Sequence, residues 1–260
     1  MVLRAALILL CFSLAAASQA KPQTKTASPS AAQKSTQPTA AKQPTAIIHT
    51  TAGDMKCTLF PDKEPQAVAN FIGLARGTKP WKDPATGHDV HDKPLYDGVT
   101  FHRTIPDFMI QAGDPTGTGT GDVGFQITDK LHPDLLFDQP GRLAYANKGG
   151  LPSTSSSQFF ITEKAVPFLN PCLDEGGCPQ LGRAKGTGYI IFGQCDDNAV
   201  ELVKKIARMP CTAGPCSPRN EHPQNPVKIT HIEIQGSGSR VAKSAAKKAT
   251  ATKAATPVKQ

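Results

Sequence analysis

The run Phe101-His102-Arg103-Thr104-Ile105-Pro106-Asp107-Phe108-Met109-Ile110-Gln111-Ala112-Gly113-Asp114 sets a guanidinium, an imidazole and a carboxamide among apolar side chains. A guanidinium is always charged and carries its N–H donors in a rigid fork. Arg103 can therefore serve as a fixed cationic hydrogen-bond donor. Beside Phe108 and Met109 it can equally be a surface residue laying its stem on apolar neighbours. The residues alone leave both readings open. Strand alternation would put Phe101 and Arg103 on one face, with Phe108 and Ile110 sharing another after the proline turn.

Other constellations carry less. Gly119-Thr120-Gly121-Asp122-Val123-Gly124 fits GxGxxG, but Gln126-Ile127-Thr128-Asp129 opens no helix that could present amides to a pyrophosphate, so a glycine loop is expected. No GxSxG elbow is present, and Ser153 to Ser157 offers no activated nucleophile. His88, Asp89, His91 and Asp92 lack a recognised ligand spacing and read as solvated loop residues, so no metal is expected. Of seven cysteines, Cys11 lies in an apolar leader. Cys172 with Cys178 and Cys211 with Cys216 are the nearest pairings, each in a Pro/Gly-rich loop; zinc ligation by these four with His222 is the rival. Cys57 and Cys195 lie in apolar strands, either bridged or as two buried thiols.

The elements that must position these groups are mostly short strands. Ile47-Ile48 and Met55 to Phe60 predict a first pair around Ala52-Gly53-Asp54. A helix follows, with Asp62 at or near its cap, Pro65 in its first turn, Val68, Phe71, Ile72 and Ala75 on one face, and Gly77 at its end. Residues 78–98 read as loop. Strands resume at Val99–Thr104, Phe108–Gly113, Arg142–Ala146, Gln158–Thr162, Tyr189–Cys195 and Val227–Ile234. Asn198 to Ala207 forms a second amphipathic helix. Many strands and two helices without regular alternation exclude a doubly wound sheet and favour an antiparallel sheet closed on itself.

Charge divides the chain. Residues 1–45 and 236–260 hold no acid and eleven of the 29 basic side chains, so the segment between them has 18 basic against 21 acidic groups; the overall +8 belongs to the ends. Arg4, the apolar stretch Ala5 to Ala17 and Ser18-Gln19-Ala20 read as a cleavable export leader over residues 1–20, too short for a comfortable membrane span. Residues 21–45 are a polar tether with little to bury, and residues 236–260 a basic Ala/Lys-rich tail. The tail either solubilises the protein or meets an anionic surface or polymer. Export to a periplasm or to the outside favours disulfides over zinc.

Taken together, the Phe101–Asp114 run, Gly141-Arg142-Leu143-Ala144-Tyr145-Ala146-Asn147, Ser157-Gln158-Phe159-Phe160-Ile161-Thr162, Tyr189-Ile190-Ile191-Phe192-Gly193-Gln194 and Pro226-Val227-Lys228-Ile229 resemble, in order, the signatures of cyclophilins. The resemblance spans residues 46–235. It implies a mainly β fold, an eight-stranded closed antiparallel barrel capped by two α-helices, and peptidyl-prolyl cis-trans isomerisation of proline-containing polypeptides by a monomer without cofactor. It implies Arg103 as the catalytic arginine and Gln111 as the group positioning it. Phe108, Met109, Phe160, Phe168 and Leu169 would wall the proline pocket, with Ala146, Asn147 and Gln158 contacting substrate. His102 enters the substrate-binding set as local support for Arg103, and Tyr189 stands where the family often has histidine. Phe168 stands where it often has tryptophan, so weak sensitivity to cyclosporin is expected from the missing indole donor. A non-catalytic Pro-peptide-binding or envelope-associated module is the alternative.

Overall fold

Buried Ala46 and Ile48 alternate with more exposed neighbours along the first strand, β1, Thr45–Thr50. It belongs to a computed structural model that describes residues 43–128 and 131–236. The expected leader, nearly all of the tether and the tail beyond Gly236 lie outside the described residues. A turn at Thr51-Ala52 returns the chain as β2, Gly53–Leu59, in antiparallel register from Thr45↔Thr58 to Thr50↔Gly53.

Helix α1, Pro65–Arg76, begins on a proline whose missing N–H costs nothing in the first turn. It ends where Gly77 takes the left-handed conformation at φ 72°. Its cap position belongs to Glu64, not to Asp62, which sits in the preceding turn. Val68, Phe71, Ile72 and Ala75 are buried as their spacing predicts. Phe71 is a hub, with its ring 5.1 Å from Phe192, 5.3 Å from Tyr96 and 5.6 Å from Phe159. Such aromatic pairs add about 0.5–1.5 kcal/mol each beyond the area they bury.

The rest of the chain adds a two-residue pair, β3 (Trp81–Lys82) with β4 (Asp89–Val90), and then β5 (Arg103–Ile105), β6 (Met109–Ala112), β7 (Arg142–Tyr145) and β8 (Phe159–Thr162). Next come β9 (Ile191–Cys195), α2 (Asp197–Ala207) and β10 (Ile229–Gln235). Asp196 caps α2 by accepting the Ala199 N–H at 2.9 Å, and Val200, Val203 and Ala207 face inward. Both helices bury their apolar faces in the main core.

The eight main strands run antiparallel in the order β10-β1-β2-β9-β7-β8-β6-β5. The closed barrel expected from the sequence does not form. The sheet is an open, curled half-barrel whose margins are β10 and β5. β5 is only three residues long and Pro106 stops it. The segment passing β5 contains Pro223 and Pro226, which have no N–H to give a ladder. Thr104 N to Glu221 O at 2.8 Å, Phe101 N to Val227 O at 2.9 Å and one isolated Thr100–Lys228 bridge tack the margins together instead.

The face assignment around Arg103 also needs correction. Phe101 and Ile110 both enter the main core, while Phe108 packs with Met109 and Ile105 in a second cluster on the Arg103 side. Residues 101–102 and 106–108 lie outside the strands, so a two-residue period does not carry through them. All three cysteine pairs are bonded: Cys57–Cys195, Cys172–Cys178 and Cys211–Cys216. The first joins register partners on β2 and β9.

Candidate functional site

The site grows from the β5–β6 hairpin. Its register places Arg103 opposite Gln111 and Ile105 opposite Met109, so guanidinium, carboxamide and thioether come from one local unit. Asp107 makes the turn at φ 59°, and its N–H donates to Glu163 Oε2 at 3.0 Å. Glu163, almost wholly buried, also meets Arg208 Nη1 at 2.8 Å. The turn is thus held from below by an ion pair.

Arg103 Nη1 donates to Gln111 Oε1 at 3.3 Å. Gln111 Nε2 donates to Gln158 Oε1 at 2.9 Å, and Gln158 Nε2 donates to the Gly119 carbonyl at 3.0 Å. The chain of amides stretches from β5 across β6 to the glycine loop. On its other side Arg103 Nε lies 2.8 Å from Glu221 Oε2.

Apolar side chains form the wall beside this polar row. Met109, Phe160 and Leu169 are buried; Phe108 is half-buried and Phe168 is 52% exposed. Phe108 and Phe168 approach to 5.6 Å between ring centres at the rim. Phe160 stacks on Phe137 at 5.8 Å and meets Tyr189 edge-on at 5.6 Å. Burial pushes the Tyr189 phenol up, against the opposing pull of the Arg183 and Arg103 charges.

Gln111, Gly119, Ala146, Asn147 and Gln158 line a cleft next to that wall. Ala146 N donates to Gln158 O at 2.9 Å. The Asn147 amide is committed locally, donating to Gly188 O and accepting from Gly150 N, both at 2.7 Å. His102 sits apart from the cleft. It is buried beneath the glycine loop, and burial lowers the pKa of its imidazole, an effect partly offset by the Asp114 carboxylate. Its carbonyl accepts a bond from His222 Nδ1 at 3.1 Å.

The glycine loop is ordered by Asp114. This buried carboxylate accepts from Thr116 N and Oγ1, both at 2.8 Å, and from Gly121 N at 3.0 Å. A β-carbon on Gly121 would fall 2.1 Å from Asp114 Oδ1, so only glycine fits. Gly119, Thr120, Gly121 and Asp122 line the cleft, and the described residues 125–128 that follow are not helical.

Of the residues singled out from sequence, eleven surround this cleft and wall, and His102 lies apart from it, buried beneath the glycine loop. Glu221 and Phe137 were not anticipated. Phe137 lies in the apolar run Leu135-Leu136-Phe137, a signal without periodicity; Glu221 lies in a Pro-rich loop where a carboxylate reads as solvated.

Comparison with known proteins gives the same outline. Residues 45–234 match the family model described as cyclophilin type peptidyl-prolyl cis-trans isomerase/CLD. The chain is 42% identical over 191 residues to peptidyl-prolyl cis-trans isomerase A of Mycobacterium tuberculosis, covering 73% of this chain and 91% of that protein. It is 39% identical over 197 residues to peptidyl-prolyl cis-trans isomerase B of Streptomyces anulatus, covering 75% and 98%. A crystal structure of a cyclophilin type isomerase from Cryptosporidium parvum superimposes with a TM-score of 0.52 at 31% identity, covering 74% of this chain and 97% of that one.

Proposed function

This chain belongs to the cyclophilin-type peptidyl-prolyl cis-trans isomerases and catalyses rotation about X-Pro bonds; on that premise we propose that Arg103 is the group that carries the catalysis. The observation that supports it is the fixed guanidinium, held between Gln111 and Glu221 beside an apolar wall.

A planar peptide bond delocalises the nitrogen lone pair, and its rotation barrier is about 18–20 kcal/mol. Twisting localises that pair on the prolyl nitrogen. An N–H of Arg103 donated to that nitrogen is weak in the planar state and strong in the twisted one, which is the difference that lowers a barrier. Met109, Phe160 and Leu169 hold the proline ring, with Phe108 and Phe168 at the rim, while the preceding residue swings along the cleft of Ala146, Asn147 and Gln158. Tyr189 closes the wall, and His102 supports the strand from behind. Bringing tens of seconds down to milliseconds takes roughly 5–6 kcal/mol, within the range of one charged contact plus preorganisation.

The clients are proposed to be exported polypeptides folding in a periplasm or outside the cell. The leader-like residues 1–20, the disulfides and the mycobacterial relatives support this reading. The site is built within one chain, which supports action as a monomer. The basic residues of 236–260 are proposed to meet an anionic surface or polymer. No helix among the described residues is long and apolar enough to cross a membrane.

A protease-coupled assay on an X-Pro peptide tests the assignment of Arg103. Arg103→Ala is expected to keep its far-UV spectrum and melting cooperativity while losing most activity. A folded variant with activity close to the parent would overturn the role.

A further inference from the structure

The segment Pro210–Pro226 carries no part of the sheet, yet it meets the chain at His102, Arg103 and Thr104. His222 Nδ1 donates to the His102 carbonyl, Thr104 N donates to the Glu221 carbonyl at 2.8 Å, and Thr104 Oγ1 lies 3.3 Å from Cys216 Sγ. Within the segment, Cys211–Cys216 closes a small ring, Thr212 N donates to His222 O at 3.0 Å and Gln224 N to Pro210 O at 2.9 Å. Glu221 is thereby fixed through its own backbone, and its carboxylate reaches Arg103 Nε at 2.8 Å.

From this we infer that Glu221 is a positioning residue for the isomerase, presented by a disulfide-closed loop to hold the outer edge of the Arg103 guanidinium. The inference rests on Arg103 being the catalytic donor. A guanidinium held only by Gln111 can pivot about that bond. Glu221 on Nε and Gln111 on Nη1 fix its plane from two sides, and among the described residues Nη2 keeps its donors uncommitted. An exposed ion pair would contribute little to stability. Both side chains are about a third exposed, so the effect belongs to orientation and is read in turnover.

The experiment uses the full chain as wild type, R103A, E221Q, E221A and E221D, with kcat and KM measured separately on an X-Pro peptide and thermal midpoints recorded. The Arg Nε–Hε signals are followed by NMR, with R103A identifying the Arg103 resonance. E221Q, which keeps shape and the backbone bond to Thr104, is expected to lose roughly 10- to 100-fold in kcat with KM within about twofold. E221D is expected to recover part of the loss, and the Arg103 signal to move in E221Q and return toward its place in E221D. Parental kcat in folded E221Q beside an inactive R103A would overturn the inference alone, and so would a loss confined to KM. An active R103A would instead overturn the reading of Arg103 itself. If E221A fails to fold, E221Q decides.

Discussion

Gln111 stands opposite Arg103 in the β5–β6 register with its amide nitrogen already spent on Gln158, so its oxygen is the end that meets the guanidinium. The orientation of one amide is thus set two side chains away, by Gln158 anchoring to the Gly119 carbonyl.

Gln111→Ala should therefore lower kcat/KM by about tenfold, the size expected for losing one hydrogen bond to a charged group. Gln158→Ala should cost less, and the double variant should cost less than the two losses combined, because both act through one row of bonds. A double-mutant cycle in the protease-coupled assay measures the coupling; fully additive losses would show that the row does not act as a unit.

The three disulfides should differ in their contribution to stability. Cys57–Cys195 spans 138 residues, against 6 and 5 for Cys172–Cys178 and Cys211–Cys216. The chain-entropy relation gives about 5 kcal/mol for the long span and about 2 kcal/mol for each short one. Urea unfolding of the paired Cys→Ser variants should rank them in that order. Equal midpoints for the three would contradict it.

Acid should weaken the hold of Asp114 on the glycine loop. Burial alone would raise the pKa of Asp114, but hydrogen bonds from Gly121, Thr116 and Gly119 outweigh it and hold the carboxyl below its ordinary value. The unfolded chain then takes up a proton at Asp114 first, so this contribution is complete above about pH 4 and is lost as pH falls through the lowered folded value. Asp114→Asn should be less stable at neutral pH and show a shallower decline in urea midpoint between about pH 5 and pH 2.5. Parallel declines in the two proteins would remove Asp114 from the acid response.

What the sequence revealed followed local rules. Pro65 and Gly77 bracket α1 because each has a conformational preference at its own position. The pairing of Arg103 with Gln111 comes from the resemblance to cyclophilins, and the β5–β6 register sets the two opposite each other. What stayed hidden depended on neighbours distant along the chain. Whether Cys57 meets Cys195 is decided by β2 lying beside β9, and nothing near either cysteine says so. The opening of the sheet depends on which segment comes to lie beside β5, here one meeting it through the Glu221 carbonyl, and nothing in β5 itself says so. Glu221 reaches Arg103 only because its loop folds back on itself, and Phe101 left the Arg103 face because the backbone before β5 is irregular.

The pairing of Thr45 with Gln235 sets a timetable for synthesis. The β1–β2 hairpin can form as soon as its residues emerge, but the outer edge of β1 waits for the last strand to be made. At about 5–20 residues per second, the 138-residue separation leaves Cys57 roughly seven to twenty-eight seconds without its partner, while Cys172 and Cys211 meet theirs almost at once. A catalyst of slow steps in other chains thus carries a late step of its own, and any nascent fragment ending before β10 leaves an unpaired strand edge open to the wrong neighbour.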